Sequence, residues 1–419
     1  MLISRRKFLK TSMVAVPAAA IMPAVFSRAV AASIAEQPSN PAPLGERTLV
    51  IVQMFGGNDG LNTIIPAGQG TYYDLRNTLA LNENDVLPLN SQTAFHPALA
   101  PLKELWDQGV LAAVEGVGYP SPSFSHFESK DTWQTADPSG RMLEGWMGRY
   151  LEGIADTQGD AFHALSVGRS LPRALLSNKV AVPSVESVEK YMFKQDPRSN
   201  SAMLGRATAL MQIYDSAPEA TRFGALLDNT IDAAQRSSDA LQAAKAAYTP
   251  AVEYPDTKLG KGMQLLAEAI DADLGIRVGH IKIRGFDTHA DQAAVHEELL
   301  ADTAGSIHAF YRDLQAHGRD KNVVVMTWSE FGRRAGPNAS GGTDHGWAGP
   351  MFVAGTPVEG GLYGEAPGLV GLDNGNLRFT TDFRRVYATV LEGWLGAPAD
   401  LVLGQHFEQL PFIKRDAAA

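Results

Sequence analysis

Thr48-Leu49-Val50-Ile51-Val52-Gln53-Met54-Phe55 is a nearly continuous apolar run, closed by Gly56-Gly57-Asn58-Asp59-Gly60. A run without polar alternation reads as a strand buried on both faces, followed by a tight turn. Such a strand belongs at the centre of a parallel sheet whose two faces are covered by helices.

Outward from this strand the chain alternates strand and helix. A helix is expected over Pro97 to Gln108 and a buried strand over Val110 to Val114. The loop Gly118-Tyr119-Pro120-Ser121-Pro122-Ser123 then feeds a helix near Phe127. Further on, Arg277 to Ile283 reads as a strand, Gln292 to Ala316 as a long helix, Val323 to Trp328 as a buried strand and Met351 to Ala354 as a late one. Asp382 to Leu395 reads as a helix near the C-terminus. This order predicts an α/β fold with a doubly wound, mostly parallel sheet. The rhythm breaks at about 190–250, an Ala-rich, polar stretch with apolar residues at helical spacing, such as Leu226, Leu227, Ile231 and Ala234. It reads as an inserted helical cap, with a further helix over Asp256 to Asp271.

The first segment carries Ser4-Arg5-Arg6-Lys7-Phe8-Leu9-Lys10, a weakly apolar stretch from Met13 to Phe26, and Ala29-Val30-Ala31. That is the layout of a twin-arginine export signal over 1–31, followed by a Pro-rich flexible leader over 32–47 and one domain over 48–419. The apolar stretch contains Pro17 and Pro23 and is too short to span a bilayer. The expectation is an exported, periplasmic protein handled by the twin-arginine machinery, with no membrane span. Without the first 31 residues, which hold five Arg or Lys and no acid, the net charge is −15. That balance argues against nucleic acid as a partner. The chain has no cysteine, so neither disulfides nor thiolate ligands are available, and a metal must be held by oxygen and imidazole. Zinc, manganese, calcium and magnesium are the candidates.

Polar residues gather just beyond predicted strand ends. Asp59 follows the first strand, Asp287 and His289 a later one, Glu330 the next, and Asp344-His345 lie in the glycine loop beyond it. In open α/β sheets ligands bind at that edge. Carboxylates and imidazoles crowded there repel or desolvate badly unless a cation holds them, so one or two divalent ions are expected. Asp59 also suits a plain turn former, Asp287 a helix cap, and Glu330 a partner for Arg333 or Arg334. Ser125 stands at a predicted helix start, where backbone N–H groups favour an anion; it suits a nucleophile or, with Glu128, a capping box. His126 would line the site, and Arg333 could grip an anionic group. His96, His163, His280, His296, His308, His317 and His406 read as structural or solvated.

Together, the twin-arginine start, Phe55-Gly56-Gly57-Asn58-Asp59-Gly60-Leu61-Asn62, Ser125-His126-Phe127, Gly285-Phe286-Asp287-Thr288-His289, Ser329-Glu330-Phe331-Gly332-Arg333 and Gly341-Gly342-Thr343-Asp344-His345-Gly346 carry a resemblance. From about residue 45 onward the chain resembles the exported bacterial family known as domain of unknown function 1501, grouped with the alkaline phosphatase and sulfatase superfamily. The resemblance implies an alkaline-phosphatase-like core, two metal sites at the carboxyl edge and a nucleophile at a helix start. Under it, Asp59, Asp287, His289, Glu330, Asp344 and His345 match metal positions and Ser125 the nucleophile region. The expected activity is metal-dependent hydrolysis of phosphate or sulfate esters, on a small or polymeric anionic substrate. The rival from another class is a non-catalytic binding or assembly protein that keeps the fold. A metal-free serine hydrolase built on Ser125 is a third reading.

Overall fold

The strand Thr48–Phe55 (β1) runs through the middle of a nine-stranded sheet. The computed structural model describes residues 46–155, 162–191 and 224–414, with 224–235 as backbone only. The expected signal, the leader up to residue 45 and residues 192–223 of the expected cap lie outside the described residues.

In chain order the other strands are β2 (Leu111–Gly118), β3 (Ala164–Val167), β4 (Ser184–Val185), β5 (Val278–Arg284), β6 (Val323–Trp328), β7 (Gly349–Ala354), β8 (Gly361–Gly364) and β9 (Thr381–Asp382). Their spatial order is β8-β2-β7-β6-β1-β5-β3-β4, with β9 beside β2. β1 pairs in parallel with β5 and with β6, and β5, β3 and β4 continue in parallel. Only β7 runs against its neighbours, β2 and β6. The cause is local. No crossover helix lies between β6 and β7, so the chain turns through the loop 329–348 at the carboxyl edge and must return antiparallel. The mostly parallel, doubly wound sheet expected from the sequence is the one observed.

Helices cover both faces, which is why β1 can be apolar throughout. Val50, Val52 and Met54 pack on one face with α1 (Ala100–Asp107), α5 (Lys258–Asp271) and α6 (Gln292–Ala316). Leu300, Ala304, Ile307, Phe310, Tyr311 and Leu314 form the buried stripe of α6, at the spacing a helix needs. Leu49 and Ile51 point to the other face, which holds α3 (Trp146–Ile154), α7 (Phe383–Ala388) and Trp133 of α2 (His126–Thr135). In the cap region, α4 (Gly224–Ala247) sends Leu241 and Ala244 against α5 and into the core. Among the described residues, no helix is long and apolar enough to cross a membrane.

β1, β5 and β6 end side by side, and the segments that leave them converge. Gly56 makes this approach possible. Its φ is +129°, and a Cβ placed there would lie 2.2 Å from the amide nitrogen of Asp287.

Candidate metal centre

Asp287 leaves the end of β5 with its carboxylate half-exposed, and three imidazoles surround it. His126 Nε2 lies 3.3 Å from Oδ2, His345 Nε2 3.0 Å from Oδ1, and His289 Nε2 3.2 Å from Oδ1. His289 Nε2 and His345 Nε2 are themselves 3.0 Å apart. The ligand atoms of His126, Asp287 and His345 all fall within 4.8 Å of one another.

Each ring is fixed through its other nitrogen. Nδ1–H of His345 donates to the Phe124 carbonyl at 2.8 Å. Nδ1 of His126 meets Oε1 of Glu330 at 2.8 Å, and Nδ1 of His289 faces Oδ1 of Asp344 at 3.4 Å. An imidazole that donates from Nδ1 presents an unprotonated Nε2 when neutral. The Nε2 atoms therefore aim lone pairs at a carboxylate and, for His289 and His345, at each other. Only a proton or a cation between them relieves that opposition. Outer oxygen partners that set the tautomer are the usual companions of metal-binding histidines. A zinc ion, with bonds of about 2.0–2.1 Å, sets its ligand atoms about 3.0–3.4 Å apart, the separations seen around Asp287.

The elements that bring these groups together are short. His126 is the first residue of α2, packed between Phe55 and Phe331, with ring centroids 5.4 and 4.9 Å away. His345 arrives on the glycine loop, which is tied back by Gly346 N–H donating to the Gly332 carbonyl (2.9 Å) and Arg334 N–H to the Asp344 carbonyl (3.0 Å). A Cβ on Gly346 would lie 2.4 Å from the Arg333 backbone, so this loop needs glycine to lie against its own strand end rather than against a ligand.

Glu330 and Arg333 stand behind the cluster. Glu330 is fully buried; its Oε1 also accepts the Gly56 amide at 2.9 Å, while Oε2 has no partner among the described residues. Glu330 thus orients His126, where the sequence reading gave it a metal or an arginine. Arg333 is fully buried too. Its guanidinium donates to the carbonyls of Gly57 (2.8 Å), Thr343 (2.9 Å), Phe286 (2.8 Å) and Gly56, and to Oδ1 of Asp287 (2.8 Å). Every donor group is engaged, so Arg333 positions Asp287 instead of reaching for a substrate. Burial pushes the Asp287 carboxyl upward, but the hydrogen bond and positive charge of Arg333 hold the group ionised, well below the ordinary carboxylate range. The bond to Glu330 raises His126, against burial, whereas burial lowers His345.

Asp59 turns elsewhere. It is sealed in a two-pronged ion pair with Arg76, at 2.5 and 2.7 Å, and also accepts from Gln292. That carboxylate is saturated without a metal, and the expectation that it joins the cluster gives way to a structural pair. A chain of polar contacts nevertheless links it to the centre: Thr343 Oγ1 donates to Gln292 at 2.6 Å, and the Thr343 carbonyl accepts from Arg333. Nothing in the sequence marks Arg76 or Gln292 as members of this network.

Ser125 is the N-cap of α2 and its hydroxyl makes no capping bond. Instead Ser123 Oγ donates to Glu128 at 2.7 Å and accepts the Ser125 amide at 3.1 Å, so the expected box is displaced by two residues. Ser125 adjoins His126 at the rim of the cluster.

Comparison with curated proteins finds no match. Among solved structures, the chain is similar to the PsFucS1 sulfatase from Pseudoalteromonas sp., at 12% identity and a TM-score of 0.38, over 93% of this chain and 75% of that one. It is similar also to the lipoteichoic acid synthase LtaP from Listeria monocytogenes, at 11% identity and a TM-score of 0.33, over 85% of this chain and 81% of that one. The model of a family described as a protein of unknown function, DUF1501, matches residues 111–393, a span that takes in the His126, Asp287, His289, Glu330, Arg333 and His345 segments, and the chain belongs to that family.

Proposed function

We propose that this chain is an exported, metal-dependent hydrolase of phosphate or sulfate esters, with one divalent ion held by His126, Asp287 and His345 and flanked by His289. The observation that carries the reading is the convergence of three Nε2 atoms on a single carboxylate, with the other nitrogen of each ring facing an oxygen. Two imidazoles and a carboxylate favour zinc or manganese over calcium and magnesium, which take mostly oxygen ligands. A bound ion would supply Lewis acidity towards an ester oxygen and lower the pKa of a bound water.

The chain's own groups do the rest. Arg333 keeps Asp287 ionised and aimed, Glu330 and the Phe124 carbonyl fix the tautomers of His126 and His345, and Asp344 does the same for His289. Half-exposed Asp287 leaves the outer side of the cluster open to a substrate. The Ser125 hydroxyl at the start of α2, or a water, would attack phosphorus or sulfur as the bond to the ester oxygen breaks, and the alcohol would leave carrying the proton the nucleophile gives up. Elemental analysis of the purified full chain, followed by turnover of aryl phosphate, phosphodiester and aryl sulfate esters, tests the reading. About one metal per chain with turnover on one ester class, both lost in Asp287→Asn, is the expected result. Metal without turnover would make the centre a binding site instead; no metal would end the proposal.

A further inference from the structure

The cluster around Asp287 contains no cation free to meet an anionic substrate, because Arg333 is fully engaged. Cations gather one ring further out. Lys282 Nζ lies 5.6 Å and Arg284 Cζ 5.3 Å from the centroid of the Phe55 ring, which also packs against His126. Lys130, on the same helix as His126, sits with Nζ 5.6 Å from the Phe127 ring and is loosely paired with Asp131 at 3.7 Å. Among the described residues neither Lys282 nor Arg284 has a carboxylate within the 4.0 Å of an ion pair. Burial pulls the Lys282 ammonium pKa down, and the nearby Arg284 and Lys130 add to it. Glu330 offsets this only in part, and like charges held together with few acids are costly unless an anion is to be received there.

These side chains line a groove of about 1520 Å³ that extends along the carboxyl ends of β5 and β3. Nine of its lining residues are Lys or Arg and five are Asp or Glu, whereas the chain as a whole has 36 basic and 46 acidic residues. His280, 2% exposed, also lines the groove, with Nε2 unpartnered among the described residues.

We infer that Lys130, Lys282 and Arg284 form a subsite for a second sulfate or phosphate group of a polyanionic ester whose reacting group sits at Asp287. The inference rests on the hydrolase reading for the reacting group, but binding to the groove is measurable by itself. The substrate class is then a polymer or oligomer bearing several anionic esters, rather than a simple monoester.

Calorimetric titration of the full chain at low salt with dextran sulfate, linear polyphosphate and uncharged dextran tests it. Binding to one or both polyanions, weakening with added salt and absent for dextran, is expected; the polymer that binds more tightly identifies sulfate or phosphate as the recognised group. Lys282→Met combined with Arg284→Gln should weaken that binding about tenfold or more while metal content stays that of the unmodified chain. Arg284→Gln alone, at an exposed position, should give part of the loss. Asp287→Asn should lose the metal and keep polymer binding. Equal affinity for dextran and the polyanions, or unchanged polyanion binding in the double variant, would overturn the subsite even if the metal and ester turnover are found. Conversely, polymer binding without metal or turnover would keep the subsite and remove the hydrolase.

Discussion

Asp59 and Asp287 make an instructive pair. Both follow neighbouring parallel strands at the same sheet edge, both are held below the usual carboxylate range, and both are gripped by a buried arginine. Yet Arg76 takes both oxygens of Asp59 in a fully buried pair, while Arg333 takes only Oδ1 of half-exposed Asp287 and leaves Oδ2 facing His126. A carboxylate closed off by one cation is scaffold; a carboxylate half-satisfied from behind is poised for a second cation in front. Position after a strand does not separate the two roles, but the number of oxygens left unclaimed does.

Breaking each partner should separate them. Arg76→Met strands a buried charge and should cost about 3–5 kcal/mol of stability in urea unfolding. Chains that still fold should retain their metal. Asp287→Asn keeps an acceptor for Arg333 and should leave the fold in place but abolish metal binding, by more than the roughly 10–100-fold typical of an outer partner. Glu330→Gln removes no proposed ligand and should weaken metal binding by that about 10–100-fold, read by competition with a chelator. A complete loss would make Glu330 a ligand itself.

Acid should sharpen the contrast further. Burial opposes ionisation of Asp59, but Arg76 overcomes it and depresses the folded pKa. Stability from this group is therefore complete above the unfolded carboxylate value of about 3.9 and is lost as pH falls through the lower folded value. Imidazole ligands instead release metal when they take up protons, and the bond to Glu330 makes His126 the readier of the two ligands to do so, while burial makes His345 the more reluctant. A pH titration should thus empty the centre while circular dichroism is still unchanged, and unfold the chain only at lower pH, below about pH 4. Coincident loss of metal and fold would erase the distinction.

The sequence speaks clearly where burial is uniform. The run Val323 to Trp328, the helix Gln292 to Ala316 and the strand at Thr48 to Phe55 are found at the expected bounds, because an all-apolar strand and a long 3.6-residue stripe each admit one reading. The grouping of Asp287, His289 and His345 was legible from strand-end placement. The partners were not. Arg76 is 17 residues beyond Asp59 in an unremarkable helical turn, and Glu330 meets His126 across 204 residues. Local pattern carries no information on such pairings. β3 and β8 escaped notice as well, since Ala164 to Val167 and Gly361 to Gly364 are too short to show a period.

The many-carbonyl grip of Arg333 has a consequence for how the proposed ion would be acquired. Because that guanidinium pins Gly56, Gly57, Phe286 and Thr343 without help from a ligand, the cradle is built by the chain's own hydrogen bonds. Exchange of one divalent ion for another then requires no refolding. Under the proposed reading, occupancy would follow the free concentrations of competing ions at the moment of capture, so the same polypeptide loaded in two cellular compartments would emerge as two different metalloforms.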